Sequence, residues 1–337
     1  MEPDALAVLV ADRIRTAVAP MLGTAAARVK VGEAPGGDAT LAIDEVAEDE
    51  MDAVLAAEGD IAYYSEDRGL VAYGEPRAIL VVDPVDGTRP AAAGLESCCV
   101  SVAVVPPDER ATLGDVSFGV VQELKTGVRF TATRGHGARA ETLDSTPVPL
   151  TRSANIDLGA LFWTAGLRGR PLMPVSIVLE ELVDGSGMRG GYFDLGSATF
   201  NITRLVTGQL DAYVDVGRRL VDELPELEPA FRAVGDGNVC TNFPYDVAAA
   251  ALILEEAGGA ITLADGAPLA GHPAVGSSRA EGLAVLAAAT ADLHERLLAA
   301  VDRGMARLHA RYRSERPGPG RATAYDEQTT PDQESPS

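Results

Sequence analysis

Aromatic residues, cysteines and basic residues are all scarce in this chain. Aromatics make up 5% of 337 residues. The three cysteines, Cys98, Cys99 and Cys240, are odd in number and spaced for neither a disulfide framework nor a zinc site. They read as small buried hydrophobes in a reducing compartment. Lys and Arg total 28 against 50 Asp and Glu, a net charge of −22. With no basic excess to meet phosphates, nucleic acid is not an expected partner. A small phosphorylated substrate stays open, because bound metals can supply local positive charge. No apolar run reaches membrane-spanning length. The first residues lack a basic segment followed by an apolar stretch, so no signal peptide is expected. The expectation is a cytoplasmic chain with no membrane partner.

What is present begins with Asp83-Pro84-Val85-Asp86-Gly87-Thr88. It follows the apolar run 78–82, which reads as a buried strand, so both aspartates fall where a strand meets a turn. Two carboxylates three residues apart there can share one hard cation or hold two. Pro84 fixes φ, and Gly87 permits a backbone geometry most residues avoid. The Val85 carbonyl offers a third oxygen. Oxygen-only ligation suits Mg²⁺ or Mn²⁺ rather than Zn²⁺. The Gly87 and Thr88 amides could face an anion held by such metals. The plainer alternative is an acidic turn that caps a helix.

Length and a hydrophobic content of 46% allow two large subdomains, each with a core. Apolar spacing predicts helices over 4–22, 44–58, 176–183, 198–206, 244–258 and about 291–311. Gly258-Gly259 ends one of them. Strands are expected at 78–82, 98–105, 116–122, 129–133, 160–164, 188–192, 212–216 and 284–289. His136, between two glycines, reads as a surface turn. The Pro/Thr-rich segment 146–152 suggests a boundary between subdomains 1–150 and 151–313. From 314 to 337 the composition suggests a disordered tail.

Three more acidic positions extend the picture. Glu66 lies in Tyr64-Ser65-Glu66-Asp67, Asp44 begins the second helix, and Asp246 opens a helix in Tyr245-Asp246-Val247-Ala248-Ala249. Singly, Asp44 and Asp246 could be helix caps and Glu66 a solvated charge. Together with Asp83 and Asp86, the chain resembles the inositol monophosphatase family, within the sugar-phosphatase group that includes fructose-1,6-bisphosphatases. Ser65-Glu66-Asp67 is similar to the family's Gly/Ser-Glu-Glu element. The Asp83–Thr88 run is its signature. Tyr245–Ala249, followed by Glu256-Ala257-Gly258-Gly259, is close to its Trp-Asp-x-Ala-Ala element. Gly196-Ser197-Ala198 with Asn201, and Gly208–Tyr213, are also family-like. The resemblance covers residues 5–310.

The resemblance implies a layered αβαβα sandwich, with an α+β N-terminal half and an α/β C-terminal half. It implies homodimers and two or three Mg²⁺ ions. Glu66, Asp83 and the Val85 carbonyl would hold the first ion. Asp83, Asp86 and Asp246 would hold the second, with a weaker third near Glu66. Two metals neutralise a phosphate dianion and clamp the attacking and leaving oxygens in line. Thr88, hydrogen-bonded to Asp44, would orient the attacking water together with Glu66. Attack would be direct, without a phosphoenzyme. The Gly87 and Thr88 amides would bind phosphate oxygens at a helix N-terminus, Asp86 and Asp246 would belong to the substrate site, and Gly196, Ser197 and Ala198 would contact substrate hydroxyls.

Two departures from the family stand out. The signature is followed by Arg89-Pro90 rather than Asn and an aromatic. Arg89 then either meets a second anion or faces outward. The connection between Tyr213 and Asp246 is long and carries Asp222-Glu223-Leu224-Pro225-Glu226, a stretch suited to setting specificity or simply to solvation. The expected activity is Mg²⁺-dependent hydrolysis of a small polyol or sugar phosphate, inositol-1-phosphate by default. Fructose-1,6-bisphosphate, an aminocyclitol or nucleoside phosphate, and 3′-phosphoadenosine-5′-phosphate are alternatives. A non-catalytic metal- or ligand-binding regulator is the alternative from another class.

Overall fold

The computed structural model describes residues 1–37 and 39–315. The N-terminal half runs α1 (Pro3–Val18), β1 (Lys30–Glu33), β2 (Ala39–Leu41), α2 (Ala42–Glu58), β3 (Ile61–Ser65), β4 (Gly69–Tyr73) and β5 (Ile79–Asp86). It continues with α3 (Thr88–Ala93), β6 (Cys99–Val105), β7 (Phe118–Glu123), β8 (Arg129–Thr133), β9 (Ala138–Glu141) and β10 (Pro147–Val148). The C-terminal half runs β11 (Phe162–Ala165), α4 (Leu172–Ser186), β12 (Gly191–Phe193), α5 (Ala198–Val206), β13 (Ala212–Val214), α6 (Gly217–Glu223) and α7 (Glu228–Val234). It ends with α8 (Pro244–Glu256), β14 (Ala260–Leu263), β15 (Val285–Ala288) and α9 (Ala291–Glu315).

Eight strands form one sheet in the order β10-β9-β8-β7-β6-β5-β3-β4, antiparallel except for the parallel pair β3–β5. Five strands form a second sheet in the order β12-β11-β13-β15-β14. Its β12, β11 and β13 are parallel, while β15 and β14 run antiparallel to their neighbours. Helices α1 and α2 cover one face of the first sheet, α5 and α8 lie between the sheets, and α4 and α9 cover the outer face of the second. This is the αβαβα sandwich.

The scarcity of aromatics has a packing reason. Pro244 to Leu254 is buried except at Asp246, and a helix apolar on all sides belongs inside. Its run Ala248–Ala251 keeps it slim enough to sit between two sheets. A side chain at Gly119 of β7 would come within 3.0 Å of the Ala249 backbone, so helix and sheet are in close approach.

Element boundaries differ from the expectations in informative places. Helix α2 starts at Ala42, so Asp44 sits in its first turn rather than at its beginning. Met188 is 95% exposed, and the strand there is Gly191–Phe193. Strand β10 still pairs with the first sheet at Val148, inside the stretch expected to divide the halves. Helix α9 continues through Glu315, and the rest of the expected tail, 316–337, lies outside the described residues. His136 is exposed on its turn, Cys98 and Cys99 are buried, and Cys240 is half-buried.

Candidate active site

Strand β5 carries Asp83 and Asp86 through the centre of the first sheet. Its register with β6 breaks between them, at Pro84-Val85. That irregularity turns successive carboxylates toward one place. The Asp83 carboxylate accepts from the Val85 amide at 3.0 Å, which closes the turn. Gly87 follows with φ +88°, and a β-carbon there would stand 2.4 Å from the Ser97 carbonyl oxygen. Only glycine meets both conditions. Thr88 then opens the six-residue helix α3.

The other acids arrive from helix starts. Asp246 lies in the first turn of α8, where its carboxylate accepts from the Phe243 amide at 2.6 Å. Asp44 does the same for α2, accepting from the Leu41 amide at 2.8 Å. Both thus serve as caps and sit close to the acidic cluster as well. One oxygen each of Asp83, Asp86 and Asp246 lies within 4.8 Å of the others. Asp86 is also held by α5: the Ser197 hydroxyl and the Thr199 amide each donate to its Oδ2 at 2.7 Å.

Crowding and burial act together on these carboxyls. Burial pushes Asp246 up to about 8, and the Asp86 charge adds to it, while the Phe243 amide and the Arg170 and Arg168 charges pull it down. Glu66 and Asp83 are raised well above the usual carboxylate range, first by burial, then Glu66 by the Asp246, Asp67, Asp44 and Asp86 charges and Asp83 by the Glu66, Asp86, Asp246 and Asp44 charges. Burial also raises Asp86, against the donors from Ser197 and Thr199. Burial takes Asp44 up to about 7. Such a set of mutually repelling, oxygen-only donors calls for cationic charge and fits a hard divalent ion.

The cleft wall includes Glu66, Asp86, Asp246, Gly196, Ser197 and Ala198. Asp44, Asp83, Val85, Gly87 and Thr88 are not on that wall; Asp83 is 1% and Val85 3% exposed. The Thr88 hydroxyl donates to the Val85 carbonyl at 3.1 Å. A side-chain hydrogen bond from Thr88 also lowers the Asp44 pKa. Arg89 is exposed and lines a neighbouring apolar groove with Phe162 and Phe193, not the acidic cleft.

Sequence reading missed several wall residues. Arg168 and Arg170 follow β11 on a glycine-punctuated loop, and Tyr213 and Asn242 join them. Arg170 is ion-paired with the fully buried Asp215 and reaches Asn242 at 3.3 Å. Asn201 is 2% exposed, and its side-chain carbonyl has no partner among the described residues. The available signal was two arginines on a Gly-x-x-Gly loop directly after a strand, in a chain poor in basic residues.

The comparisons with known proteins agree with this geometry. The model of the inositol monophosphatase family matches residues 4–306. The chain belongs to the inositol monophosphatase family. It is a family of metal-dependent phosphoric monoester hydrolases acting on small phosphorylated substrates. A fructose-1,6-bisphosphatase/inositol-1-monophosphatase of Methanothermobacter thermautotrophicus is 30% identical over 304 residues, covering 87% of this chain and 94% of its own. A bifunctional NADP phosphatase/NAD kinase of Methanocaldococcus jannaschii is 25% identical over 272 residues, 72% of this chain and 45% of its own. Among solved structures, an IMPase of Thermotoga maritima aligns with a TM-score of 0.64 at 19% identity, over 91% of this chain and all of its own. No helix among the described residues is long and apolar enough to cross a membrane.

Proposed function

We propose that this protein is a Mg²⁺-dependent phosphatase of a small polyol or sugar phosphate, with inositol-1-phosphate the default substrate and fructose-1,6-bisphosphate its rival. The observation that carries the reading is the convergence of Asp83, Asp86 and Asp246 within 4.8 Å, beside Glu66. Glu66, Asp83, Asp86, Asp246 and the Val85 carbonyl would hold two or three ions, with Mn²⁺ as a substitute. Bound there, the ions neutralise the phosphate dianion and lower the pKa of water toward neutrality.

The chain's own residues supply position and shape. Asp86 is fixed at the start of α5 by Ser197 and Thr199, so the acidic cluster and the polyol-facing residues Gly196, Ser197 and Ala198 form one unit. The amides of Gly87 and Thr88 sit at the start of α3, next to Asp86, where phosphate oxygens would come. Thr88, Asp44 and Glu66 would orient the attacking water and take its proton. Cys98 and Cys99 are buried and held in the thiol form, principally by burial, while the half-buried Cys240 stands in the cleft wall. Direct attack by water, without a phosphoenzyme, is part of this proposal. Assembly with a second copy of the chain, as a homodimer in the cytoplasm, belongs to the same proposal.

The test is phosphate release from inositol-1-phosphate, fructose-1,6-bisphosphate, 3′-phosphoadenosine-5′-phosphate and aminocyclitol or nucleoside monophosphates, with and without Mg²⁺. Mg²⁺-dependent release from a polyol or sugar phosphate supports the reading. Release that persists in EDTA, or release only from the nucleotide, contradicts it.

A further inference from the structure

The long connection from Asp215 to Pro244 is folded, not a loose loop. It supplies α6, α7 and the segment that leads into α8. The Asn242 carbonyl accepts from the Leu283 amide at 2.8 Å, and Asn238 Nδ2 donates to the Gly37 carbonyl at 2.9 Å. A side chain on Gly282 would stand 2.8 Å from Thr241 Oγ1, so the 276–282 loop is packed against the insertion. Tyr64 holds that loop from the other side through its hydroxyl contact with Ser277 at 2.6 Å. Tyr64 is two residues from Glu66 and stacks on Tyr245 at 6.4 Å.

Between the insertion, the loop and Gly36 lies a second cavity of about 170 Å³. Gly36, Thr241 and Phe243 line both this cavity and the acidic cleft, so the two spaces adjoin. The cavity is lined by arginines. Arg218, Arg232 and Arg279 line it with Ser277 and Ser278, and no acidic residue is among its lining. Arg218 pairs with Asp222, while Arg232 and Arg279 share the single carboxylate of Glu228. A third carboxylate, Glu281, lies on the same loop and accepts from the Ser278 amide at 2.8 Å, so the three arginines are anchored by carboxylates around the cavity rather than in it. Arg232 and Arg279 side chains are 52% and 59% exposed, so each keeps donors for a ligand.

We propose that this cavity is a specificity subsite for a second anionic group, phosphate or carboxylate, at the far end of the substrate. The inference rests on the phosphatase reading of the adjoining cleft. Guanidinium forks match both anions through paired hydrogen bonds. A polyol phosphate with a neutral far end leaves the spare guanidinium donors unused. A sugar bisphosphate, or a phosphorylated sugar acid, engages them.

The experiment uses two substrate pairs that differ only in the second anion: fructose-1,6-bisphosphate against fructose-1-phosphate, and 6-phosphogluconate against glucitol-6-phosphate. The expected result is a kcat/KM at least about tenfold higher for the member of one pair that carries the second anionic group, expressed mainly in KM. Arg279→Gln and Arg232→Gln each reduce that ratio, while Arg279→Lys retains most of it. Which pair shows the preference separates phosphate from carboxylate. Equal kcat/KM within both pairs, or a preference that survives Arg279→Gln together with Arg232→Gln, overturns the subsite. Calorimetric affinity for the same pairs, in Ca²⁺, reads the subsite apart from turnover. No release from any substrate defeats the phosphatase reading, and equal affinities within both pairs defeat the subsite.

Discussion

Asp44→Asn should make the metal-free protein more stable at alkaline pH while impairing turnover. Asp44 is 7% exposed, and burial, with the Asp67 and Glu48 charges, raises its carboxyl from 3.8 to about 7 against the pull of the Leu41 amide and Thr88. Between these values the folded protein holds a proton that the unfolded chain has released. Stability must therefore fall as pH rises through that window. The full difference, at about 1.4 kcal/mol per pH unit, is roughly 4 kcal/mol above pH 7 and close to zero below pH 4. Asparagine keeps a carbonyl oxygen for the Leu41 amide, so the cap on α2 survives while the buried charge is gone. Urea unfolding in EDTA at pH 4 and pH 8 reads the effect. The variant should match the wild type at pH 4 and exceed it by up to about 4 kcal/mol at pH 8. An equal gap at both pH values, or a less stable variant at pH 8, would refute the argument.

Four further outcomes follow from named contacts. Asp86→Asn should fold yet lose on the order of 10²–10³-fold in kcat/KM, because several kcal/mol of charge stabilisation depends on that ligand; circular dichroism and phosphate release check both halves. Gly87→Ala forces a β-carbon to within 2.4 Å of the Ser97 carbonyl at positive φ, and should cost about 2–4 kcal/mol in urea unfolding. Ser197→Ala removes the cap on α5, where the hydroxyl accepts from the Phe200 amide at 3.0 Å, and one donor to Asp86; stability should drop about 1 kcal/mol and the Mg²⁺ requirement should rise. Arg170→Met strands the fully buried Asp215 and should cost about 3–5 kcal/mol, with Arg170→Met/Asp215→Leu recovering much of it.

The parts of the site that were legible in sequence are those set by local chemistry. The strand-turn run Asp83–Thr88 needs proline, glycine and carboxylates at fixed offsets, and the turn shows in the residue types alone. Helix α5 was readable to its limits, Ala198–Val206, because a serine cap precedes an apolar run. The first hairpin, β1–β2, escaped because it is short and has no buried face. Helices α6 and α7 escaped because their apolar residues are spread thinly among charges. Arg170 was invisible for another reason: its partner Asp215 is 45 positions away, and only the meeting of β11 and β13 in one sheet joins them. The arginine-lined cavity is the same kind of feature, assembled from an insertion, a distant loop and Gly36.

The central claim is that Asp83, Asp86, Asp246 and Glu66 hold the ions that drive hydrolysis. Anomalous diffraction from crystals grown with Mn²⁺ tests it most directly. The account predicts Mn²⁺ peaks bridging Asp83 with Asp86 and Asp246, and Asp83 with Glu66 and the Val85 carbonyl. Mn²⁺ found only elsewhere on the acidic surface, with the carboxylate cluster empty at millimolar Mn²⁺, would contradict it.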